Sequence, residues 1–344
     1  MAIDLYGLSR VVGEVGVLPQ RAQQLDPTLP LRPGELLVDV ESLNIDAASF
    51  KQLKDEARGD AGGIVDRIRA IVSQRGKMQN PVTGSGGMLI GRVAEVTPEH
   101  PAAKELRVGD RLATLVSLTL TPLVLREVRA IHPAIDRVDV RGHAILFPTG
   151  LFAKLPDDLP DALSLAALDV CGAPALVARY VKPGMRVLVL GSGKSGTLCL
   201  AQARQSLGGH GQLIAVDLSQ QALDPLGKAG LYDEAIALDA TRAIDVLAAV
   251  ERATAGHLAD LVINCASVPN TEMASILSTR DGGTVIFFSM ATSFTAAALG
   301  AEGVGKDVQM IVGNGYVPRH AELTLELLRA HRPLRELFER KYGA

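Results

Sequence analysis

In the second half of the chain, short, largely apolar runs alternate with stretches of helical period. Runs at 186–190, 212–216, 234–237, 261–264 and 284–288 predict strands, and 195–207, 220–229, 244–254 and 270–277 predict helices between them. A strand that is apolar at successive positions is buried on both faces, and a helix after each one carries the chain back to start the next. The pattern therefore predicts a parallel sheet covered on both sides, an α/β doubly wound unit. Helical period also covers 160–180, ahead of the first of these strands, and 319–340 near the end, with a split near Pro333.

The first half has a different rhythm. Residues 34–41 alternate apolar and polar directly after Arg32-Pro33-Gly34, which predicts a strand opened by a turn. Further strands are expected at 88–96, after the turn Val108-Gly109-Asp110, and at 140–147, while 55–77 reads as helical with a break near Gly62-Gly63. Several short strands with Gly and Pro turns suggest a small β-barrel or sandwich. The character changes near Lys154-Leu155-Pro156-Asp157. The expected organisation is a strand-rich domain over 1–157, a doubly wound domain over 158–315, and a tail over 316–344 packed on the first domain.

Composition removes several function classes. The net charge is −3 with no block of like charge, so the basic stripe of a nucleic-acid binder is missing. The three cysteines, Cys171, Cys199 and Cys265, are too few and too far apart for a disulfide framework and fit a reducing compartment. No stretch approaches the ~20 apolar residues of a membrane helix, and the first residues lack the pattern of a secretion leader. A cytoplasmic location is expected by elimination.

The clearest motif is Gly191-Ser192-Gly193-Lys194-Ser195-Gly196, which follows the strand Val187-Leu188-Val189-Leu190 and opens a helix. This is the dinucleotide-binding pattern in its strand–turn–helix setting. Gly191 permits the tight turn, Gly193 admits a pyrophosphate to the backbone, and Gly196 lets helix and strand pack closely. The helix start then presents N–H groups and a positive dipole end to phosphate. Asp217 stands twenty-one residues after Gly196, at the end of the next strand, where a carboxylate accepts from ribose hydroxyls and repels a 2′-phosphate. NAD is the expected cofactor, with Leu218 and Ser219 beside the adenosine. Cys265 and Ala266, and Ser289 and Met290, end later strands on the side where open α/β sheets bind ligands, and are also expected to line the cofactor site. A glycine turn that merely packs two elements, or the similar turn of a methyltransferase, is the competing interpretation. Gly313-Asn314-Gly315 reads as a turn, lining the site or not.

With these residues in view, the whole chain resembles the medium-chain dehydrogenase/reductase superfamily. The resemblance runs through Arg32–Val38, Gly91-Arg92-Val93-Ala94-Glu95-Val96, Val108–Leu112, Leu155-Pro156-Asp157 and Ala166-Ala167-Leu168. It implies a GroES-like β-barrel domain, a Rossmann domain, an active site in the cleft between them and a homodimer. More narrowly, residues 77–91, Asn44-Ile45-Asp46 and Asp169-Val170-Cys171-Gly172 resemble the L-erythro-3,5-diaminohexanoate dehydrogenase family. That resemblance implies an NAD-dependent oxidative deamination of a small diamino acid during lysine degradation, yielding 5-amino-3-oxohexanoate and ammonia.

The zinc-dependent members of the superfamily hold their metal with Cys, a His-Glu pair and a second Cys. Here those positions hold Asp46, Ser85-Gly86 and Cys171. Catalytic zinc takes three protein ligands, usually His or Cys, so no metal is expected. A neutral amine can expel hydride without a Lewis acid, and the chemistry then needs a base for the ammonium proton and a group that activates water on the iminium. A carboxylate at Asp46 can do either and can pair with a cationic substrate, with Ser85 and Asp169 as further catalytic candidates. Asp46 can equally be the N-cap of a helix starting at Ala47-Ala48; Ser85 can be a loop hydroxyl. A zinc-free ketone or enone reductase, and an NAD(H)-binding redox sensor without turnover, remain as alternatives.

Overall fold

The computed structural model describes residues 3–313 and 315–342. They form two compact units that divide between Pro156 and Asp157. Asn314, with the turn expected around it, lies outside the described residues.

The first unit contains β1 (Leu36–Asn44), α1 (Ala47–Glu56), α2 (Ala61–Arg75), β2 (Met88–Val96), β3 (Arg111–Thr114), β4 (Leu123–His132), β5 (Arg137–Leu146) and β6 (Phe152–Lys154). The strands pair in the order β4-β5-β1-β2-β3-β6, antiparallel throughout. Alternation places Leu36, Val38 and Val40 of β1 in the core while Asp39 is exposed. Phe50 and Leu53 of α1 and Ile64 and Ile68 of α2 pack into the same cluster. This is the strand-rich, GroES-like half of the expected α/β class. Gly62-Gly63 does not break a helix, contrary to expectation. Asp60 caps α2 and accepts from Gly63 N at 2.6 Å, so both glycines sit in the first helical turn and the break falls at 57–60.

Two buried cations tie the N-terminal arm to this unit. Arg10 is 1% exposed. Its Nε and Nη2 donate to the two Glu35 carboxylate oxygens at 2.8 and 2.6 Å, and its remaining donors reach the carbonyls of Asp26, Thr28 and Pro30. A buried charge survives only with such full pairing. Lys77, 0% exposed, donates from Nζ to the carbonyls of Pro19 (2.7 Å) and Gln20 (3.4 Å).

The second unit opens with α3 (Asp161–Leu168) and α4 (Gly172–Tyr180), then alternates: β7 (Arg186–Leu190), α5 (Lys194–Leu207), β8 (Gln212–Asp217), α6 (Gln220–Lys228), β9 (Glu234–Ala237), α7 (Ala243–Ala253), β10 (Ala259–Asn264), α8 (Glu272–Ser278), β11 (Thr279–Phe287), α9 (Phe294–Gly303) and β12 (Val308–Val312). It closes with α10 (His320–Ala330) and α11 (Arg332–Tyr342). The sheet runs β12-β11-β10-β7-β8-β9, with every pair parallel. Strand order reverses at β7, and a crevice opens at the carboxyl end of such a switch point. This is the expected Rossmann arrangement.

The tail corrects an expectation. The helices α10 and α11 belong to the second unit: α10 packs on α3, α4 and α5, and α11 packs on α3 and α10. The cause is an apolar face. Ala321, Leu325 and Leu328 of α10 and Leu334 and Phe338 of α11 are buried, and Thr324 Oγ1 donates to the Cys171 carbonyl at 3.2 Å. Among the described residues, no single helix is long and apolar enough to cross a membrane.

Burial, with the Arg75 charge adding to it, lowers the Lys77 ammonium from its ordinary 10.5 to about 8. Between about pH 8 and 10.5 the unfolded chain thus holds a proton that the folded chain has released, and stability rises with pH through that window. Below it both states are charged and the cost of burying the ammonium is fully present. Lys77→Met removes this dependence. The stability of the wild type relative to Lys77→Met, from urea titrations, should rise from neutral to alkaline pH. A flat or falling difference would mean that the buried amine stays charged.

Candidate functional site

The turn between β7 and α5 is built by contacts that only glycine allows. Gly191 has φ +89° and lies under Ala266, so that a Cβ on it would come within 2.9 Å of the Ala266 Cα; its N–H donates to the Val216 carbonyl at 2.8 Å. A Cβ on Gly196 would stand 1.8 Å from the Gly191 carbonyl oxygen. Gly193 is different: a Cβ there would meet nothing within 4 Å. The backbone is thus bare on the side where a phosphate would approach. No side chain caps α5, whereas Asp46 caps α1 and Asp60 caps α2. The amides of the first turn of α5 remain available to an anion. These residues fit a dinucleotide, with Gly191 and Gly196 in the tasks expected for them.

Asp217 stands at the carboxyl end of β8, as expected. One of its oxygens, Oδ2, accepts from Ser192 N at 2.7 Å and Ser192 Oγ at 2.6 Å. The other, Oδ1, has only a long contact from Ser219 N at 3.4 Å, which leaves it capacity for a ribose hydroxyl. Ser195 is half-buried in the first turn of α5, and Leu218 is exposed beside Asp217. Cys265 N donates to the Leu190 carbonyl at 2.8 Å and so carries Ala266 over Gly191. Cys265 Sγ lies 3.9 Å from Cys199 Sγ, and burial pushes the Cys199 thiol well above its ordinary value. Past the end of β11, Ser289 Oγ accepts from Ala291 N at 3.1 Å, and Met290 is 90% exposed.

A cleft of about 880 Å³ adjoins this turn, with Ser192, Gly193 and Asp217 on one wall and Arg340, Lys341 and Tyr342 of α11 on another. Lys194 Nζ donates to Asp169 at 2.7 Å and lies 5.6 Å from the centre of the Tyr342 ring. Asp169, expected among the catalytic groups, is engaged at the glycine turn as a partner of Lys194. It occupies the C-cap of α3, and the short reach from there to the start of α5 explains the pairing. The contribution of α11 to this wall had no sequence signal beyond the basic end of an amphipathic helix.

In the first unit the structure brings Asp46 and Ser85 together. Asp46 caps α1 and accepts from Ser49 N at 3.0 Å through Oδ1, while Ser85 Oγ donates to Oδ2. Ser49 Oγ lies 3.0 Å from Ser85 Oγ and 2.5 Å from Thr83 Oγ1. Two glycines make this approach possible. A Cβ on Gly86 would sit 2.3 Å from the Met78 carbonyl, and one on Gly87, at φ +102°, would sit 2.1 Å from that of Asn44. The loop is held from within by Asn80, whose Oδ1 accepts from Val82 N and Thr83 N at 2.8 and 3.2 Å. Asp136, which sequence reasoning missed, receives the Ile45 N–H on its carbonyl at 3.0 Å. Burial, and then the Asp46 charge, raises its carboxyl above the ordinary value.

Known proteins are similar to this chain along both units. The model of the L-erythro-3,5-diaminohexanoate dehydrogenase N-terminal domain matches residues 9–156, ending where the first unit ends. The L-erythro-3,5-diaminohexanoate dehydrogenases of Acetoanaerobium sticklandii and Fusobacterium nucleatum are each 50% identical over 338 residues, covering 98% of this chain and 98% of theirs. The chain belongs to the L-erythro-3,5-diaminohexanoate dehydrogenase family. Solved structures share the fold at low identity. An alcohol dehydrogenase from Thermotoga maritima is 17% identical, over 90% of this chain and 86% of that one, with a TM-score of 0.56. A mycobacterial quinone oxidoreductase is 20% identical over 94% of each chain, with a TM-score of 0.57. Within the family the chain keeps the expected two-part α/β class.

The glycine geometry separates folding from binding. Gly193→Ala should keep the wild-type melting temperature, since its Cβ meets nothing within 4 Å, and lose at least ~10-fold in NADH affinity, the outcome expected of a methyl added where the motif admits a pyrophosphate. Gly196→Ala should lose both, since it drives a methyl into a backbone carbonyl. Calorimetry of both variants beside NADH fluorescence titrations checks this. Wild-type affinity in Gly193→Ala would mean that the pyrophosphate does not lie on this turn.

Proposed function

We propose that this protein oxidatively deaminates L-erythro-3,5-diaminohexanoate with NAD, giving 5-amino-3-oxohexanoate and ammonia, as a step in lysine degradation. The observation that carries this reading is 50% identity to two L-erythro-3,5-diaminohexanoate dehydrogenases along essentially the whole of both chains. The bare glycine turn supports a nicotinamide dinucleotide as the hydride acceptor. Asp217 supports NAD over NADP, because a fixed carboxylate at the ribose repels a 2′-phosphate.

Asp46 is the base that takes the proton of the substrate ammonium. Ser49 N and the Ser85 hydroxyl fix both of its oxygens, so its lone pairs are aimed before substrate arrives, and its charge attracts a cationic amine. Ser85 orients this carboxylate. Asp169 is assigned to the glycine turn through Lys194 rather than to the chemistry. The reaction needs no zinc. A catalytic zinc takes three protein ligands, usually His or Cys, and of the corresponding positions Asp46, Ser85-Gly86 and Cys171 only Cys171 offers one, while Asp46 and Ser85 satisfy each other.

The protein works in the cytoplasm on a small molecule, without nucleic-acid or membrane partners. This is supported by its near-neutral charge without a basic stripe and by its sparse free cysteines. It is a homodimer. The edge strand β12 carries exposed Met310 and Val312, and a second copy on a two-fold axis is the self-complementary partner for such an edge. Light scattering should give twice the chain mass.

The deciding experiment follows absorbance at 340 nm with L-erythro-3,5-diaminohexanoate and either NAD or NADP, before and after a chelator. Rapid, chelator-insensitive reduction of NAD, faster than of NADP, is expected. NADH binding without any turnover on the diamino acid would turn the reading towards a ketone or enone reductase or a redox sensor. In the same assay Asp46→Asn should lose about 100-fold or more in kcat while binding NADH as the wild type does. Full turnover by that variant would remove Asp46 as the base.

A further inference from the structure

Oxidative deamination of an ammonium substrate releases a proton in every cycle. The alkylammonium ion, oxidised NAD and water give the ketone, an ammonium ion, NADH and one free proton. The base that takes a proton from the substrate has to discharge it before the next cycle. With substrate against its open side, Asp46 has two other neighbours. Ser49 N is an amide and carries no proton away. The Ser85 hydroxyl is the second, and it does not end the chain of contacts. Ser85 Oγ is 3.0 Å from Ser49 Oγ, and Ser49 Oγ is 2.5 Å from Thr83 Oγ1. Ser49 is 0% exposed, whereas Thr83 is exposed. A continuous file of three hydroxyls therefore runs from Asp46 and Ser85, both half-buried, by way of buried Ser49 to exposed Thr83.

We propose that Ser85, Ser49 and Thr83 form a proton relay that discharges Asp46 to solvent, an inference that rests on Asp46 being the base. Each hydroxyl has one hydrogen to give and lone pairs to receive. When Asp46 is protonated, its hydrogen passes to Ser85 Oγ, that of Ser85 to Ser49, that of Ser49 to Thr83 and that of Thr83 to water. Four O–H bonds break and four form, one proton leaves, and no electron moves. Every hydroxyl then points back towards the carboxylate. That is the one direction in which the file satisfies an ionised Asp46: Ser85 donates to Asp46, so Ser85 accepts from Ser49 and Ser49 from Thr83. Rotation of the three hydroxyls resets the file.

The oxygens are held in place independently of the relay. Ser49 lies in the first turn of α1, with its N–H on Asp46 and its carbonyl receiving Asn80 Nδ2 at 3.4 Å. The Thr83 backbone is fixed by Asn80 Oδ1 at 3.2 Å, and Ser85 by the glycine approach beside it. Ser49→Ala therefore removes one link of the file and leaves its frame in place. A polar cluster that only fastened the loop to α1 would need the bonds but no unbroken path to water.

The test measures kcat, KM and NADH affinity of Ser49→Ala in dilute buffer, then with increasing imidazole, a small proton carrier. The expected result is a fall of at least ~10-fold in kcat, unchanged KM and NADH affinity, and recovery of rate as imidazole is added. The wild type should not respond to imidazole. Wild-type kcat in Ser49→Ala, or a loss that imidazole does not restore, overturns the relay. If Ser49→Ala does not fold, Thr83→Ala at the exposed end carries the same test, and its kcat should likewise fall in dilute buffer and recover with imidazole. An inactive Asp46→Asn beside an unimpaired Ser49→Ala removes the relay alone; a fully active Asp46→Asn removes the base and the relay together.

Discussion

The second unit depends on one close contact, the Gly191 carbonyl against the backbone of Gly196. With 1.8 Å between that oxygen and the position of a Cβ, no other residue fits, and the start of α5 is pulled onto the end of β7. Several consequences follow from this approach. The first amides of α5 point outward without a capping side chain. Ser192 is bent towards β8, where Asp217 receives both its N–H and its hydroxyl. The segment after β10 passes directly over Gly191. A wider turn would separate these groups, and the cleft beside them would lose its shape.

The first unit applies the same physical device to a different end. Gly86 and Gly87 let the backbone of the loop press on the Met78 and Asn44 carbonyls. That puts Ser85 in reach of a carboxylate thirty-nine residues earlier in the chain. The loop's other end continues into Lys77, whose buried amine holds the carbonyls of the N-terminal arm, and Arg10 closes that arm on Glu35. Losing one partner of such a buried pair costs about 3–5 kcal/mol, so the frame that presents Asp46 and Ser85 is specified from several sides.

What can be read from the sequence follows from how local each signal is. The nucleotide strands are legible because burial on both faces makes them apolar at successive positions, and Gly191, Gly193 and Gly196 each state a backbone requirement. Strand β4 is not: it breaks register between Leu125 and Glu127 and again between Val128 and Ala130, and each shift swaps the face on which the apolar residues fall. Edge strand β12 leaves Met310 and Val312 exposed, so its pattern carries no core side. The tail's two helices are visible, but an amphipathic face does not name its partner, and only the folded chain reveals their packing on α3 and α4. Asp46 is legible as the cap that the structure shows and as the base we propose. Ser49 and Thr83 are not, because a small hydroxyl residue acquires meaning only from what folding brings beside it.

The arrangement around Asp46 also bears on the proposal that the reaction proceeds without a metal. An alcohol loses hydride readily only when its oxygen is drawn towards an alkoxide, and a Lewis acid serves that end. An amine lone pair pushes hydride out unaided once one proton is gone. The demand shifts from polarising an oxygen to removing a proton and disposing of it. In the proposed mechanism a carboxylate held by an amide and a hydroxyl answers the first requirement, and the file of hydroxyls answers the second. On the proposed reading, Asp46 and Ser85, at the positions that the resemblance assigns to metal-binding side chains, take up that different task, and the hydroxyls beside them serve it.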